Sequence, residues 1–279
     1  MARTVAVMRQ ARAVGDAQRA RFSRGDAVLL LRFFRMVLRD RFLGSTLGTI
    51  WAAANPLLLL AIFTFVFGFV LKARFPGAET SLQYVTWLVS GYGPWLAMTE
   101  TLSSSTSSVV SNSGLVKNLA FKTELLPIAS GLLGIVPLAV TSAYLVVLLV
   151  VQGTLPSWPW LAVLIAVPLQ FLFTIGIGLM LSAINVFVRD IALALPNLLI
   201  IILFASPIFY PVEAFPGVLR TVSYFNPFFL IAEAYRQPLL HGRMPSAWLL
   251  GYLFAVSITT FVAGLALFRR LKGYFDARL

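Results

Sequence analysis

Side chains that could carry out catalysis or bind a metal are scarce in this 279-residue sequence. It contains no Cys, which excludes disulfides, iron–sulfur clusters, thiolate zinc sites and thiol nucleophiles. Its single His, His241, excludes a multi-histidine metal site and argues against a Ser-His triad. No phosphate-binding loop of the form GxxxxGKS or GxxxxGKT is present, so the chain does not bind ATP by that route. We therefore predict no catalytic, cofactor-binding or metal-binding residue.

One acidic side chain, Glu100, lies well inside a predicted membrane span. Steps of three and four residues from it trace a polar stripe of small and polar residues on one helix face, namely Gly93, Ala97, Glu100, Ser104 and Ser107. A charge at the bilayer centre costs at least about 2.5 kcal/mol, so it usually faces a cavity or a partner. Either the stripe lines a wet conduit or a subunit interface, or the span ends near Leu102 and residues 103–108 form an interfacial loop.

The composition indicates what kind of protein must position these side chains. Hydrophobic residues make up 59% of the chain and charged residues 11%, against about 25% charged in a soluble domain. These values exclude a soluble globular enzyme, and the high hydrophobicity excludes a disordered chain. The net charge of +12 could indicate nucleic acid, but the apolar content favours a polytopic membrane protein without a nucleic-acid partner.

The hydrophobic stretches predict six membrane spans, since a spanning helix needs about 20 mostly apolar residues. The predicted spans cover residues 50–71, 84–110, 129–151, 160–186, 191–210 and 247–268, of which 84–110 is polar in its second half. The joining segments leave no room for a second domain. Seventeen of the 22 basic residues then fall on the side of both termini, which the positive-inside rule makes cytoplasmic.

Residues 26–43 precede the first span and predict an amphipathic helix in the membrane interface. Arg32, Arg35 and Arg39 form one basic stripe, and apolar residues cover the rest of the helix. Residues 1–25 and 269–279 are predicted cytoplasmic tails. The interface helix either anchors the chain to lipid only, or also packs against a cytoplasmic partner.

The segment before the last span, residues 211–245, predicts short re-entrant or surface helices on the outer face. Pro227 can open a helix with Asn226 as its N-cap, and a kink is expected at Ser206-Pro207. The region is rich in aromatic residues. These form either an interfacial aromatic belt or an outer gate that contacts substrate.

Several ordered motifs resemble a known family. They are residues 41–51 (RFLGSTLGTIW) with 55–57 (NPL), 116–127 (VKNLAFKTELLP), 185–190 (NVFVRD), 206–211 (SPIFYP), 226–228 (NPF) and 235–236 (YR). From about Leu30 to Leu279 the chain is similar to the membrane subunit of type 2 ABC exporters for cell-surface polysaccharides, such as lipid-linked O-antigen, teichoic acid or capsule polymers. One departure is Lys122, where the family commonly has Pro, so a helix could run through that position.

The resemblance implies one all-α membrane domain over residues 1–279, with six spans, in a bacterial cytoplasmic membrane. It implies a homodimer around a central conduit for a lipid-linked glycan. Two copies of a separate ATPase subunit would hold ATP and Mg, and this chain would bind no cofactor. Because few ionisable groups lie in the spans, energy from such a partner fits better than ion coupling.

The resemblance also assigns roles to residues. ATPase coupling falls to Arg35, Arg39, Asn185, Arg189 and Asp190, and the cytoplasmic gate to Lys117, Phe121, Lys122 and Glu124. The conduit or outer gate would use Trp87, Tyr92, Trp95, Phe209, Tyr210, Tyr224 and Phe228, because sugar faces stack on aromatic rings. For Arg189 and Asp190 the alternative is a charged turn at a membrane edge.

Two other functions stay open at this stage. The chain could belong to an ABC exporter of the same architecture that moves drugs or lipids. It could also be a secondary carrier, or an assembly protein without transport. A neighbouring gene for an ATPase would favour either exporter over a secondary carrier or an assembly protein. Neighbouring glycosyltransferase genes would favour the polysaccharide exporter over an exporter of drugs or lipids.

Overall fold

The computed structural model describes residues 23–41, 48, 50–73, 80–119 and 121–279, and within these ranges all regular structure is helical. The α-helices are α1 (Arg24–Asp40), α2 (Ile50–Phe63), α3 (Ser81–Ser111), α4 (Ser113–Asn118), α5 (Leu125–Gly131), α6 (Ile135–Val151), α7 (Val163–Asn185), α8 (Asp190–Ala205), α9 (Gly217–Ser223), α10 (Pro227–His241) and α11 (Ala247–Leu271). Shorter π or 3-10 segments are Thr64–Val70, Leu132–Gly134, Trp158–Ala162, Val212–Ala214 and Lys272–Ala277. The all-α prediction is confirmed.

Four helical segments are long and apolar enough to cross a membrane: Ile50–Val70, Leu125–Val151, Trp158–Asn185 and Ala247–Phe275. They match four of the predicted spans. The predicted span 191–210 is too long, because α8 ends at Ala205 and Ser206 is extended before Pro207. Its 16 residues measure about 24 Å, against a hydrocarbon core of about 30 Å. The six-span count therefore stays a prediction that depends on α3 and α8.

Helix α3 runs without interruption for 31 residues and lies at the centre of the bundle. It starts at a capping box formed by Thr80 and Gln83. Its hydroxyl groups bond to carbonyls one turn earlier, as when Thr106 Oγ1 donates to Leu102 O at 2.7 Å. Thr106, Ser107 and Ser108 all bond back to the preceding turn in this way, and residues 103–108 are helical throughout. The alternative in which they form a loop is wrong.

Glycines bring α7 and α11 into direct backbone contact. A Cβ on Gly264 would lie 2.2 Å from the carbonyl oxygen of Gly176. Ser257 on α11 adds a hydrogen bond, since its Oγ donates to Leu169 O at 2.9 Å. Small residues at such a crossing let two apolar helices pack closely where lipid gives no hydrophobic driving force. The two helices thus form a closely packed pair, and α7 also packs against α3.

Helix α1 packs on α5 through one apolar face. Phe33 is buried there against Leu125, Leu126 and Ala129. Ser23 and Asp26 form a capping box at the start of the helix. The basic stripe of Arg32, Arg35 and Arg39 lies on the exposed side. The helix spans 24–40, whereas the prediction was 26–43; residues 42–43, the tail 1–22 and most of the motif at 41–51 lie outside the described residues.

The short helices before the last span start as expected. Asn226 Oδ1 accepts a hydrogen bond from the Phe228 amide at 3.0 Å, and Pro227 occupies the first helical turn of α10. The predicted N-cap is confirmed. Asn226 Nδ2 also donates to Ser206 Oγ at 2.7 Å, which joins the start of α10 to the end of α8.

Candidate functional site

Four of the five residues assigned to ATPase coupling are exposed. Arg35 and Arg39 lie on the outward side of α1, and Arg189 and Asp190 lie at the start of α8. A partner subunit could reach all four side chains. Their role in coupling stays a prediction.

Asn185, the fifth of these residues, is buried and holds the turn in place. Its Nδ2 donates to Thr106 O on α3 at 3.1 Å, and its Oδ1 accepts from the Ala192 amide on α8 at 3.3 Å. Both polar groups of the side chain therefore bond within the chain. Asn185 orients the turn that carries Arg189 and Asp190.

Residues 121–124, the gate segment, separate α4 from α5. α4 ends at Asn118 and α5 begins at Leu125, so the expectation that a helix runs through Lys122 is wrong. The Phe121 ring packs 5.2 Å from the ring of Phe33 on α1. The Lys122 ammonium is buried in an ion pair with Asp26, also on α1. These two contacts fix the gate segment against α1. Lys117, on α4, is exposed.

Glu124 is the most buried charge of the gate segment, with 0% of its side chain exposed. Arg269 Nε lies 3.0 Å from its Oε1, and Lys272 Nζ lies 3.3 Å from its Oε2. The gate segment is therefore tied at Lys122 to α1 and at Glu124 to the C-terminal end of α11. Nothing in the sequence spacing joins Arg269 or Lys272 to residue 124, so from the sequence both residues bear only on the membrane topology.

Acid should weaken the attachment of α1. The hydrogen bond from Lys122, followed by that from the Ser23 amide, holds the pKa of Asp26 below its ordinary value of 3.8. A depressed pKa in the folded state means that the pair contributes its full stability above about pH 5 and loses it as the pH falls through that pKa. We expect Asp26→Asn to lower the thermal midpoint near neutral pH by an amount that shrinks below about pH 4.

The control is Asp40→Asn, which removes an exposed carboxylate from the same helix. It should change the midpoint little at any pH. A difference between wild type and Asp26→Asn that stays constant down to pH 2 would contradict the ion pair's contribution.

The structure divides the polar stripe of α3 into two parts. Gly93 packs against α6, where a Cβ on Gly93 would lie 2.8 Å from Thr141 Oγ1. Ala97 is fully buried against the segment before α6, where a Cβ on Gly134 would lie 2.5 Å from the Ala97 carbonyl oxygen. This part is a tight helix contact. Within the described chain it leaves no space for a conduit.

The other part of the stripe faces Arg41, at the end of α1. Arg41 Nη2 donates to Glu100 Oε2 at 2.8 Å, a second contact joins Arg41 Nη1 to Glu100 Oε1, and Ser104 Oγ also donates to the carboxylate. The charge on Glu100 is thereby compensated. Beside this group lies a cavity of about 420 Å³, whose walls include Arg41, Ser104, Ser107, Ser111 and Asn112. Sequence analysis did not identify Arg41 as the partner of Glu100.

Thiol labelling should separate the two faces of this part of α3. The chain has no native Cys, so Ser104→Cys and Ser107→Cys each introduce a single reactive thiol. Both positions line the cavity, and we expect a water-soluble reagent to label them. Ser105→Cys is the control, because Ser105 is buried and its Oγ donates to Pro127 O at 2.8 Å. Complete protection of residues 104 and 107 in the working complex would rule out a wet surface.

Most of the aromatic residues assigned to the conduit pack between helices. The Tyr92 ring lies 5.0 Å from that of Phe63 and stacks on Phe209 at 5.2 Å. Trp95 meets the edge of Phe228 at 5.6 Å. These rings join four elements: α2, α3, α10 and the segment that follows α8.

Two further tyrosines lie nearer the surface. The hydroxyl of Tyr210 donates to the Phe204 carbonyl, while Tyr224 is exposed. Whether any of these aromatic rings contacts substrate stays a prediction.

Trp87, the last of these aromatic residues, lies under a buried arginine. Arg236 on α10 is 1% exposed, and its guanidinium carbon lies 3.9 Å from the centre of the Trp87 ring. Arg236 Nη2 donates to Ile208 O at 2.7 Å, and Nη1 lies 3.2 Å from Glu233 Oε1. Arg236 thus clamps α10 to the turn after α8. In the sequence this arginine counts among the five basic residues on the outer side, and its neighbours Tyr235 and Gln237 give no local sign that it is buried.

The part of the chain that the structure describes holds no cluster of three or more His, Asp or Glu side chains suited to a metal ion. Several ion pairs in this part join separate elements: α1 to α3, α1 to the gate segment, and the gate segment to α11. The arrangement can transmit a displacement of one helix to another. That the chain binds no cofactor stays a prediction.

The chain is similar to known proteins over most of its length. The family model described as "ABC-2 type transporter" matches residues 10–240. The chain is 28% identical to an O-antigen export system permease protein RfbA of Klebsiella pneumoniae, over 85% of this chain and 90% of that protein. It is 24% identical to the RfbA of Myxococcus xanthus, over 88% and 94%. It is 25% identical to the polysialic acid transport protein KpsM of Escherichia coli, over 85% and 90%.

Proposed function

We propose that this chain, which belongs to the ABC-2 type transporter family, is the membrane subunit of an ATP-driven polysaccharide exporter. The observation that carries this proposal is similarity, over 85–88% of the chain, to relatives named for O-antigen export or polysialic acid transport. Both are sugar polymers, which favours a polysaccharide over a drug or a lipid. An ABC ATPase subunit is the expected partner, and ATP hydrolysis belongs to that subunit.

The finer features of the proposal concern the assembly and its substrate. We propose a homodimer with two ATPase copies and a lipid-linked glycan as substrate, in a bacterial cytoplasmic membrane. Helix α2 supports a dimer or a lipid contact, since Ile50, Leu58, Ile62 and Phe65 on it and its π-helical extension are exposed. A surface this apolar needs lipid or a second copy of the chain to cover it.

We propose six spans, with α3 and α8 completing the four apolar ones and both termini in the cytoplasm. α1 then lies in the cytoplasmic interface. Its exposed side supports this placement, because Val28 and Leu31 lie there beside Arg32 and Arg35. Exposed apolar side chains beside arginines suit the boundary between acyl chains and anionic headgroups.

The proposed mechanism uses the gate segment as the link between ATPase and conduit. A partner seated on α1 and on Arg189 and Asp190 would move α1 when it binds and hydrolyses ATP. Lys122 pairs with Asp26 on α1, so that movement reaches the gate segment directly. The ion pair between Glu124 and Arg269 then transmits the movement to the end of α11. The two buried pairs make the helices move together.

Charge reversal at the proposed docking turn should weaken the ATPase contact. We expect Arg189→Glu to lower the affinity for the ATPase subunit at least about tenfold, because the substitution reverses the charge that this turn presents to the partner. The affinity is measured by pull-down or surface plasmon resonance with the purified subunits. Arg220→Glu is the control, since Arg220 is equally exposed but lies on α9, on the proposed outer side.

Membrane insertion of both variants should match wild type. Equal ATPase binding by Arg189→Glu and Arg220→Glu would contradict the docking assignment. It would leave the family membership untouched.

The polysaccharide itself is tested in the source cells. Deleting the gene should abolish the surface polysaccharide and cause lipid-linked polymer to accumulate inside, and the intact gene should restore export. Normal surface polysaccharide together with new sensitivity to a drug, or with altered membrane lipid, would favour the other exporter functions.

A further inference from the structure

A cavity of about 560 Å³ opens between α3, α10 and the start of α11. Small-molecule sites measure roughly 300–1,000 Å³, so this cavity has the size of a ligand site. The orientation proposed above places it on the outer side. The coupling turn, the gate segment and the polar stripe all lie elsewhere. Its walls include Trp87, Tyr224, Glu233, Arg236, Gln237 and Trp248.

Two aromatic rings at this cavity are exposed and held in place. Trp248 is 52% exposed, and its ring stacks on Tyr252 at 5.5 Å with an interplanar angle of 18°. Tyr224 is also exposed, with its ring 6.3 Å from that of Phe229. A ring supported by a neighbour loses little freedom when a ligand stacks on it. Such surfaces suit the C–H faces of sugar rings.

Polar groups beside the rings offer both donors and acceptors. Glu233 Oε1 accepts from Arg236 Nη1 at 3.2 Å and has further acceptor capacity, while Gln237 supplies a carboxamide. Arg236 Nε is buried and has no hydrogen-bond partner among the residues that the structure describes. A buried donor without a partner is costly. The polar groups that a ligand in the cavity can reach are therefore those of Glu233 and Gln237, which are only partly buried.

The balance of charges favours a neutral ligand. Glu213 and Glu233 line the cavity together with Arg236 and Arg243, so two negative charges match two positive ones. An anionic lipid headgroup would meet both carboxylates. A hydroxyl-rich sugar can bond to carboxylates and guanidinium groups alike.

We propose that this cavity is a carbohydrate-binding subsite that holds a short stretch of the polysaccharide as it leaves the membrane on the outer side. The inference rests on the proposed function, because it requires a glycan at that surface. Trp248 and Tyr224 stack on the sugar faces, Glu233 and Gln237 bond to the hydroxyls, and the buried Arg236 holds Glu233 in place. A weak subsite of this kind would keep the emerging polymer from sliding back.

The test uses the complex of this chain with its ATPase subunit in lipid nanodiscs. The probe is polysaccharide released by mild acid from the surface of the source cells, and binding is measured by saturation-transfer NMR. Wild type should transfer saturation to the sugar protons. Trp248→Ala should weaken binding by roughly three- to tenfold, which is the worth of one aromatic stacking contact.

Trp158→Ala is the matched control. Trp158 is 70% exposed and precedes α7 on the same proposed side, but it does not line the cavity. Its removal should leave binding unchanged. Gln237→Ala is a second variant that removes a polar contact without touching the aromatic pair of Trp248 and Tyr252. It should weaken binding as well.

Three results would overturn the subsite. They are no saturation transfer in wild type, equal binding by wild type and both cavity variants, or transfer only to added short-chain phosphatidylglycerol. The last would assign the cavity to a lipid headgroup. Surface polysaccharide in the gene deletion reports on the proposed function separately, so the two ideas fail in different experiments.

Discussion

Glu124→Gln should uncouple the gate segment from α11 and abolish export. The side chain is fully buried between Arg269 and Lys272, and Lys272 is itself mostly buried. The amide keeps the size of the carboxylate but leaves two cations facing a neutral group. Breaking a buried ion pair on one side costs about 3–5 kcal/mol. We expect the lower end of that range, because Arg269 remains 38% exposed and water can solvate it.

The measurement is the thermal unfolding midpoint of the purified chain together with surface polysaccharide in cells. Two adjacent arginines provide a matched pair of variants, of which Arg270→Gln is the control. Arg269→Gln removes one partner of Glu124 and should lower the midpoint, whereas Arg270→Gln changes an exposed side chain of the same helix and should not. If Glu124→Gln exported polysaccharide like wild type, the gate segment would not link the ATPase to the conduit through this pair.

Gly264→Ala should separate α11 from α7. The new methyl group would lie 2.2 Å from the Gly176 carbonyl oxygen, which belongs to backbone and cannot move aside by a rotamer change. The two helices would have to move apart along their length. Overpacking of this kind costs about 1–3 kcal/mol. We expect a clear fall in the thermal midpoint and in the yield of folded protein.

Gly251→Ala is the matched control on the same helix. A Cβ there meets nothing within 4 Å, and replacing Gly by Ala inside a helix is otherwise favourable by about 1 kcal/mol. This variant should be as stable as wild type or slightly more stable. Equal stability of the two variants would show that the contact between Gly176 and Gly264 does not set the distance between the helices.

Local sequence patterns were enough to predict much of this fold. Apolar stretches of about 20 residues identified four spanning helices, and Asn226 before Pro227 identified the start of α10. Each of these signals lies within one turn or one helix. The serine-rich half of α3 was harder, because serine occurs in loops and also in helices where it bonds to the preceding turn.

The partners of the buried charges could not be predicted from spacing. Arg41 meets Glu100 across 59 positions, and Glu124 meets Arg269 across 145. Such pairs depend on how the helices pack, which the hydrophobic pattern of one helix does not contain. For the same reason Arg236 was counted as a loop charge, although the structure buries it over Trp87.

The most direct test of the central claim is transport by the purified components. The chain and its ATPase subunit are reconstituted in liposomes that carry the lipid-linked polysaccharide of the source cells. The glycan that reaches the far side is measured with and without ATP. We predict ATP-dependent transfer that Glu124→Gln abolishes and Arg270→Gln preserves. Glycan transfer that is the same with and without ATP would contradict the claim. So would ATP-dependent movement of a drug or lipid but not of the glycan.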